Sequence, residues 1–170
     1  MLNVNVASHA QANDIITRVL CACDVQSELG PARLLRDNGK RPDGATHDPW
    51  SSGRHLVWDF TCLDTLAPSY VDLSAASAGS AAAKAEQLKR TKYSRLSQSG
   101  NILFMPMAIE TLGTWGPAAT ELCKDIGSRL ALTSGDPRAL PFLRQRLGLA
   151  VQRGNAAAVS GTSPRADILE

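Results

Sequence analysis

Lys40-Arg41-Pro42-Asp43-Gly44 and Leu56-Val57-Trp58-Asp59-Phe60-Thr61 are the stretches on which the reading of this chain turns. The first reads as a turn, because Pro fixes φ and Gly tolerates positive φ. The second reads as a strand. Leu56, Trp58, Phe60 and Cys62 fall on one face, Val57, Asp59 and Thr61 on the other. An aspartate in mid-strand runs against β-propensity, and its carboxylate is costly to bury without a partner. Either that face is solvated or Asp59 has a partner. A carboxylate at the turn and another on the strand are the minimal protein share of a Mg²⁺ site.

On the N-terminal side, residues 8 to 23 read as a helix that Ser8 can cap. Ala12, Ile16, Val19, Leu20 and Cys23 form its apolar stripe. His9 and Asn13 fall close to that stripe, and His9 reads as a hydrogen-bonded residue of the helix start. Glu28 sits in the short segment before Gly30-Pro31; alone it is a surface residue, and it matters only beside Asp43 and Asp59. Residues 32 to 36 read as a short strand and Asp37-Asn38-Gly39 as a hairpin turn. Asp48 to Gly53 reads as a polar loop and Arg54 to Cys62 as a strand, so residues 25 to 62 make a small, mainly antiparallel sheet.

On the C-terminal side, Thr65 to Val71 is a loop, since Pro68 excludes a central strand. Ser74 to Ser97 reads as the longest helix, with Gly79 its weak point. Ala78, Ala81, Ala85, Leu88, Lys92 and Leu96 form one stripe, with Lys89 at its edge. A lysine on an apolar stripe either snorkels past its neighbours or is held against a carboxylate or phosphate. Asn101 to Ala108 has the continuous apolar pattern of a buried strand, with Pro106 marking an edge or bulge. Helices follow at about Pro117 to Thr133 and Pro137 to Arg153. The expected organisation is one domain over 1–153 and a frayed tail over 154–170.

With 170 residues, one domain is the default. A net charge of +2 is too small to require a nucleic-acid partner, so such a partner needs a local patch. Cys21, Cys23, Cys62 and Cys123 form neither a disulfide framework nor a zinc spacing. Reduced thiols point to an intracellular protein. No run is long enough to span a bilayer, so no membrane partner is expected. Lys40, Arg41, Arg54, Lys89, Arg90, Lys92 and Arg95 are the basic residues placed to take up a phosphate backbone. The fold class is therefore α/β (α+β): a small mixed sheet flanked by helices, with extra C-terminal helices. On the residues alone the chain is a metal-dependent hydrolase or a nucleic-acid-binding domain.

Arg41-Pro42-Asp43, the strand Asp59-Phe60-Thr61 and the helical Lys89-Arg90-Thr91-Lys92-Tyr93 together resemble a known family. It is the restriction-enzyme-like endonuclease domain that follows the reverse transcriptase in some non-LTR retrotransposons. That domain belongs to the PD-(D/E)XK nuclease superfamily. Thr61 stands where the superfamily has Lys. In the retrotransposon branch that Lys moves to the following helix, and Lys92 in Lys92-Tyr93 is similar. Glu28 resembles the acid supplied near the first helix, Met105-Pro106-Met107-Ala108-Ile109-Glu110 the buried strand, and Phe142 to Gly161 the tail segment. The resemblance covers roughly residues 9 to 161. It implies a restriction-endonuclease-like fold and nicking of target DNA with Mg²⁺ or Mn²⁺, in the nucleus. It gives Asp43 and Asp59 as metal ligands and Glu28 as an auxiliary ligand or acid. Lys92 is then the catalytic lysine, with Lys89 as alternate. The 170 residues hold no reverse transcriptase or zinc knuckle, so the resemblance implies an isolated domain or an inactive relic. The competing expectation is a non-catalytic DNA-binding or protein-interaction module of the same fold.

Overall fold

The computed structural model describes residues 4–34 and 41–162. Helix α1 (Val4–Ala22) starts earlier than the Ser8 cap predicted. Ala12, Ile15, Ile16, Val19 and Leu20 are all buried, at the i, i+3, i+4, i+7, i+8 spacing of a core-facing helix. Asp24, at φ 59°, turns the chain into strand β1 (Ser27–Leu29). The short strand expected at 32–36 is instead a 3-10 turn over Ala32–Leu34, closed by the Leu34 N–H on the Pro31 carbonyl. Pro31 has no N–H with which to extend a ladder. The predicted turn at 37–39 and Lys40 lie outside the described residues.

Strand β2 (Gly44–Ser51) runs through the region expected to be a polar loop. Its register shifts between Ala45 and Pro49, and the Thr46 hydroxyl mends the ladder there. That hydroxyl accepts the Leu56 N–H at 3.0 Å and donates to the Asp48 carbonyl at 2.7 Å. The irregularity explains why no alternating pattern announces the strand. Ser52 and Gly53, both at positive φ, make the tight turn into β3 (Arg54–Leu63). Strand β4 (Ile102–Glu110) lies parallel to β3 and completes a four-stranded mixed sheet in the order β1-β2-β3-β4. As the last strand β4 is an edge, which accommodates Pro106.

The helix expected over 74–97 is three pieces: α2 (Val71–Ala76), α3 (Ser80–Lys92) and α4 (Ser94–Ser97). Ser77 is extended and Gly79 takes φ 83°, so the break falls at the one residue that adopts this conformation freely. Ala81 and Ala85 are buried as expected, but Ala78 lies outside any helix and Leu88 is exposed. Helix α5 (Pro117–Ser134) opens with Pro and closes at Gly135. Helix α6 (Ala139–Thr162) continues through residues expected to be tail. Its extension is anchored by the Asn155 amide, which donates to the Thr111 carbonyl at 2.7 Å.

The alternation of β3 sorts the molecule into layers. Leu56, Trp58, Phe60 and Cys62 enter the main core with α1, α5 and α6. On the other face, Val57 joins Ala45, Tyr93 and Phe104, while Leu63 packs on Ala81, Ala82 and Ala85 of α3. Two buried carboxylates serve helix starts. Glu110 accepts the Ala82 N–H at 3.0 Å, and Glu86 accepts those of Ala118 and Ala119 at 2.8 and 2.9 Å. These N–H groups have no partner inside their own helices, and the helix dipoles favour an anion there. Among the described residues, no helix is long and apolar enough to cross a membrane.

Candidate active site

Asp43 is placed by β2. Its N–H donates to the Trp58 carbonyl at 3.0 Å, and its own carbonyl accepts from Gly30. One register step beyond the pair Gly44–Trp58 sets Asp43 beside Asp59. The Asp43 carboxylate then takes over from the ladder: Oδ2 accepts the Phe60 N–H at 2.6 Å. Gly44 makes this approach possible, because a Cβ there would sit 2.0 Å from the Trp58 ring.

Asp59 is buried on the face covered by α3. Lys89 and Lys92, one helical turn apart, converge on its Oδ2 at 2.9 and 3.7 Å. Lys89 Nζ also lies 3.4 Å from the Phe60 carbonyl. The backbone of Phe60 thus links the two acids, its N–H on Asp43 and its C=O near Lys89, the ion-pair partner of Asp59. Tyr93 holds the end of α3 against this corner: its ring is buried and its hydroxyl donates to the Arg41 carbonyl at 3.1 Å.

Burial raises the pKa of Asp59; Lys89 opposes this, Asp43 adds to it, and the net position is above the usual carboxylate range. Burial also pushes Asp43 upward, but the His9 and Phe60 hydrogen bonds outweigh it and hold that carboxyl low. Two neighbouring carboxylates with opposite shifts show how strongly their donors differ. His9 Nε2 lies 2.9 Å from Asp43 Oδ2, and the imidazole is shifted up chiefly by that bond. By sequence alone His9 reads as a hydrogen-bonded residue of the helix start. The available signal was its position next to the stripe of α1, one turn before Asn13.

Of the other expected residues, Glu28 and Arg54 are not brought to this corner. Glu28 pairs with Arg33 at 3.2 Å and stands opposite Ala45 on β1, with β2 between it and Asp59. The resemblance is what assigns Glu28 an acid's role, and a match in sequence carries no information on strand order. Arg41 is exposed beside Asp43. Arg90 and Arg95 are exposed on α3 and α4, flanking the lysines. Arg54 begins β3, five residues from Asp59, so about 17 Å separates them.

The oxygens here are hard donors, suited to Mg²⁺ or Mn²⁺ rather than zinc. Asp59 Oδ2 is buried and, although within ion-pair distance of Lys89, takes no hydrogen bond of good geometry. It is an acceptor that a cation would satisfy. Asp43, Asp59 and the Phe60 carbonyl are the oxygen donors at this corner, and a cation bound by so few protein groups would keep water or phosphate in its remaining positions. Among the described residues no group of three or more His, Cys, Asp or Glu side chains is placed to hold a metal ion. Compared with known proteins, the chain matches no family model and no curated protein.

Proposed function

We propose that the chain is a metal-dependent DNA endonuclease domain with a restriction-endonuclease-like fold, of the kind associated with retrotransposons. The observation that carries this reading is the cluster in which Lys89 and Lys92 meet the Asp59 carboxylate while Asp43 and Lys89 meet the adjoining Phe60 backbone. Asp43 and Asp59 would hold Mg²⁺ or Mn²⁺, which supplies polarisation of the phosphodiester and a more acidic water. Lys89 fixes the Asp59 carboxylate. Lys92, a third exposed, is the lysine with room to meet a phosphate and offset charge in the transition state. Water forms the new P–O bond and gives up a proton to solvent, the bond to the leaving sugar oxygen breaks, and that oxygen takes up a proton from solvent. Arg41, Arg90 and Arg95 lie exposed around the corner, where a phosphate backbone would run.

Two observations favour a second reading, a non-catalytic DNA-binding or protein-interaction module of the same fold. Glu28 is engaged with Arg33, and Asp59 already has an ion-pair partner in Lys89. Nicking of supercoiled plasmid by the purified chain with Mg²⁺ or Mn²⁺ separates them, with Asp59→Ala as control. Nicking that the control abolishes supports the nuclease. Intact plasmid from folded protein refutes it, and a gel shift on the same DNA then identifies a binding module.

A further inference from the structure

A chain of hydrogen bonds runs from the core to Asp43. The Trp58 indole donates from Nε1 to Asn13 Oδ1 at 2.9 Å, with both residues buried. Asn13 Nδ2 lies 3.3 Å from His9 Nδ1, and His9 Nε2 lies 2.9 Å from Asp43 Oδ2. An indole can only donate, so the oxygen of Asn13 must face it and the amide nitrogen must face His9. An amide nitrogen can only donate, so Nδ1 of His9 accepts. The proton of the neutral ring is therefore on Nε2, where it points at Asp43. Every polarity in the chain is dictated by the tryptophan at its root.

We infer that His9 is a positioning residue for Asp43, preset by Trp58 and Asn13 to hold the carboxylate for a divalent cation. This rests on the nuclease reading above. His9 and the Phe60 N–H both bond Oδ2, which pins the carboxylate plane from two sides and leaves Oδ1 for a ligand. The His9 ring is itself braced edge-on against Phe60, with centroids 6.0 Å apart. The orientation is thus built by α1 and β3 before any cation arrives. Outer partners of this kind fix the direction of a ligating group, and losing one weakens metal binding by about 10–100-fold.

Titration calorimetry with MnCl₂ on the full chain at neutral pH tests this. His9→Ala is expected to weaken Mn²⁺ binding by about tenfold or more. His9→Gln, whose amide Nε2 can occupy the same donor position, is expected to restore most of it. Asn13→Asp keeps the acceptor for Trp58 but turns an acceptor toward His9, drawing a proton onto Nδ1. Nitrogen-15 NMR of the ring reads that change directly, and Mn²⁺ affinity is expected to fall with it. This second variant serves if His9→Ala does not fold. Unchanged affinity in His9→Ala, or unchanged ring signals and affinity in Asn13→Asp, overturns the role of His9 alone. Absence of Mn²⁺ binding by the wild-type chain overturns the nuclease reading and this role together.

Discussion

Lys89→Met removes the nearer ammonium from Asp59 while keeping most of the side-chain volume. The carboxylate stays buried, with Lys92 at 3.7 Å as its remaining partner. Breaking a fully buried pair costs about 3–5 kcal/mol, mostly as the penalty of the abandoned charge. Lys89 is one-fifth exposed and Lys92 can move in, so a loss of about 2.5 kcal/mol is expected. With a urea slope near 2 kcal/mol/M, the midpoint falls by about 1.2 M. Asp59→Asn in the Lys89→Met background removes the stranded charge, and the double variant is expected to regain about 1.5 kcal/mol over Lys89→Met. Urea unfolding of the wild type, both single variants and the double variant at neutral pH closes the cycle. Additivity within about 0.5 kcal/mol would refute the claim that Asp59 is held as a buried ion pair.

Gly44→Ala drives a methyl into the Trp58 ring and should cost about 3 kcal/mol, measurable as a lower melting temperature. Burial pushes the Cys62 and Cys123 thiols up to about 11, so only Cys21 and, more slowly, the part-buried Cys23 should react with a thiol reagent before unfolding. Asp43 has a lowered folded pKa, so it contributes stability above its unfolded value of 3.8 that is lost as pH falls through the folded value. His9→Gln keeps a hydrogen bond but no positive charge, so its acid-unfolding midpoint should move to higher pH than wild type. Lys92→Met should change urea stability by less than about 1 kcal/mol, since its ion pair is long and one-third exposed, while plasmid nicking falls sharply.

The elements that announced themselves in sequence were those with one clean period. The stripe of α1 matches one buried face, while the alternation of β3 sorts two layers and the apolar run of β4 reflects burial on both faces. Strand β2 was hidden because its ladder is mended by the Thr46 hydroxyl around an irregular register, leaving 47–49 exposed. The break between α2 and α3 at Gly79 was visible as a weak point, but whether a helix tolerates a glycine depends on tertiary packing. At the candidate site, the lysines on the α3 stripe and the mid-strand aspartate were legible because each violates the expectation for its position. Their partners were not. Glu28 reads as a surface residue on its own and gains a site role only through the family resemblance, whereas strand order places it on β1 against Arg33. The link from Trp58 through Asn13 and His9 to Asp43 joins residues with sequence separations of up to 45, beyond any local pattern.

A crystal of the chain soaked in MnCl₂ and measured at the manganese absorption edge tests the site most directly. An anomalous peak bounded by the Asp43 and Asp59 carboxylates and the Phe60 carbonyl, with the Lys89 ammonium moved off Asp59 Oδ2, is the predicted result. A map with no peak there, and Lys89 still 2.9 Å from Asp59, would contradict the assignment of these acids to a metal.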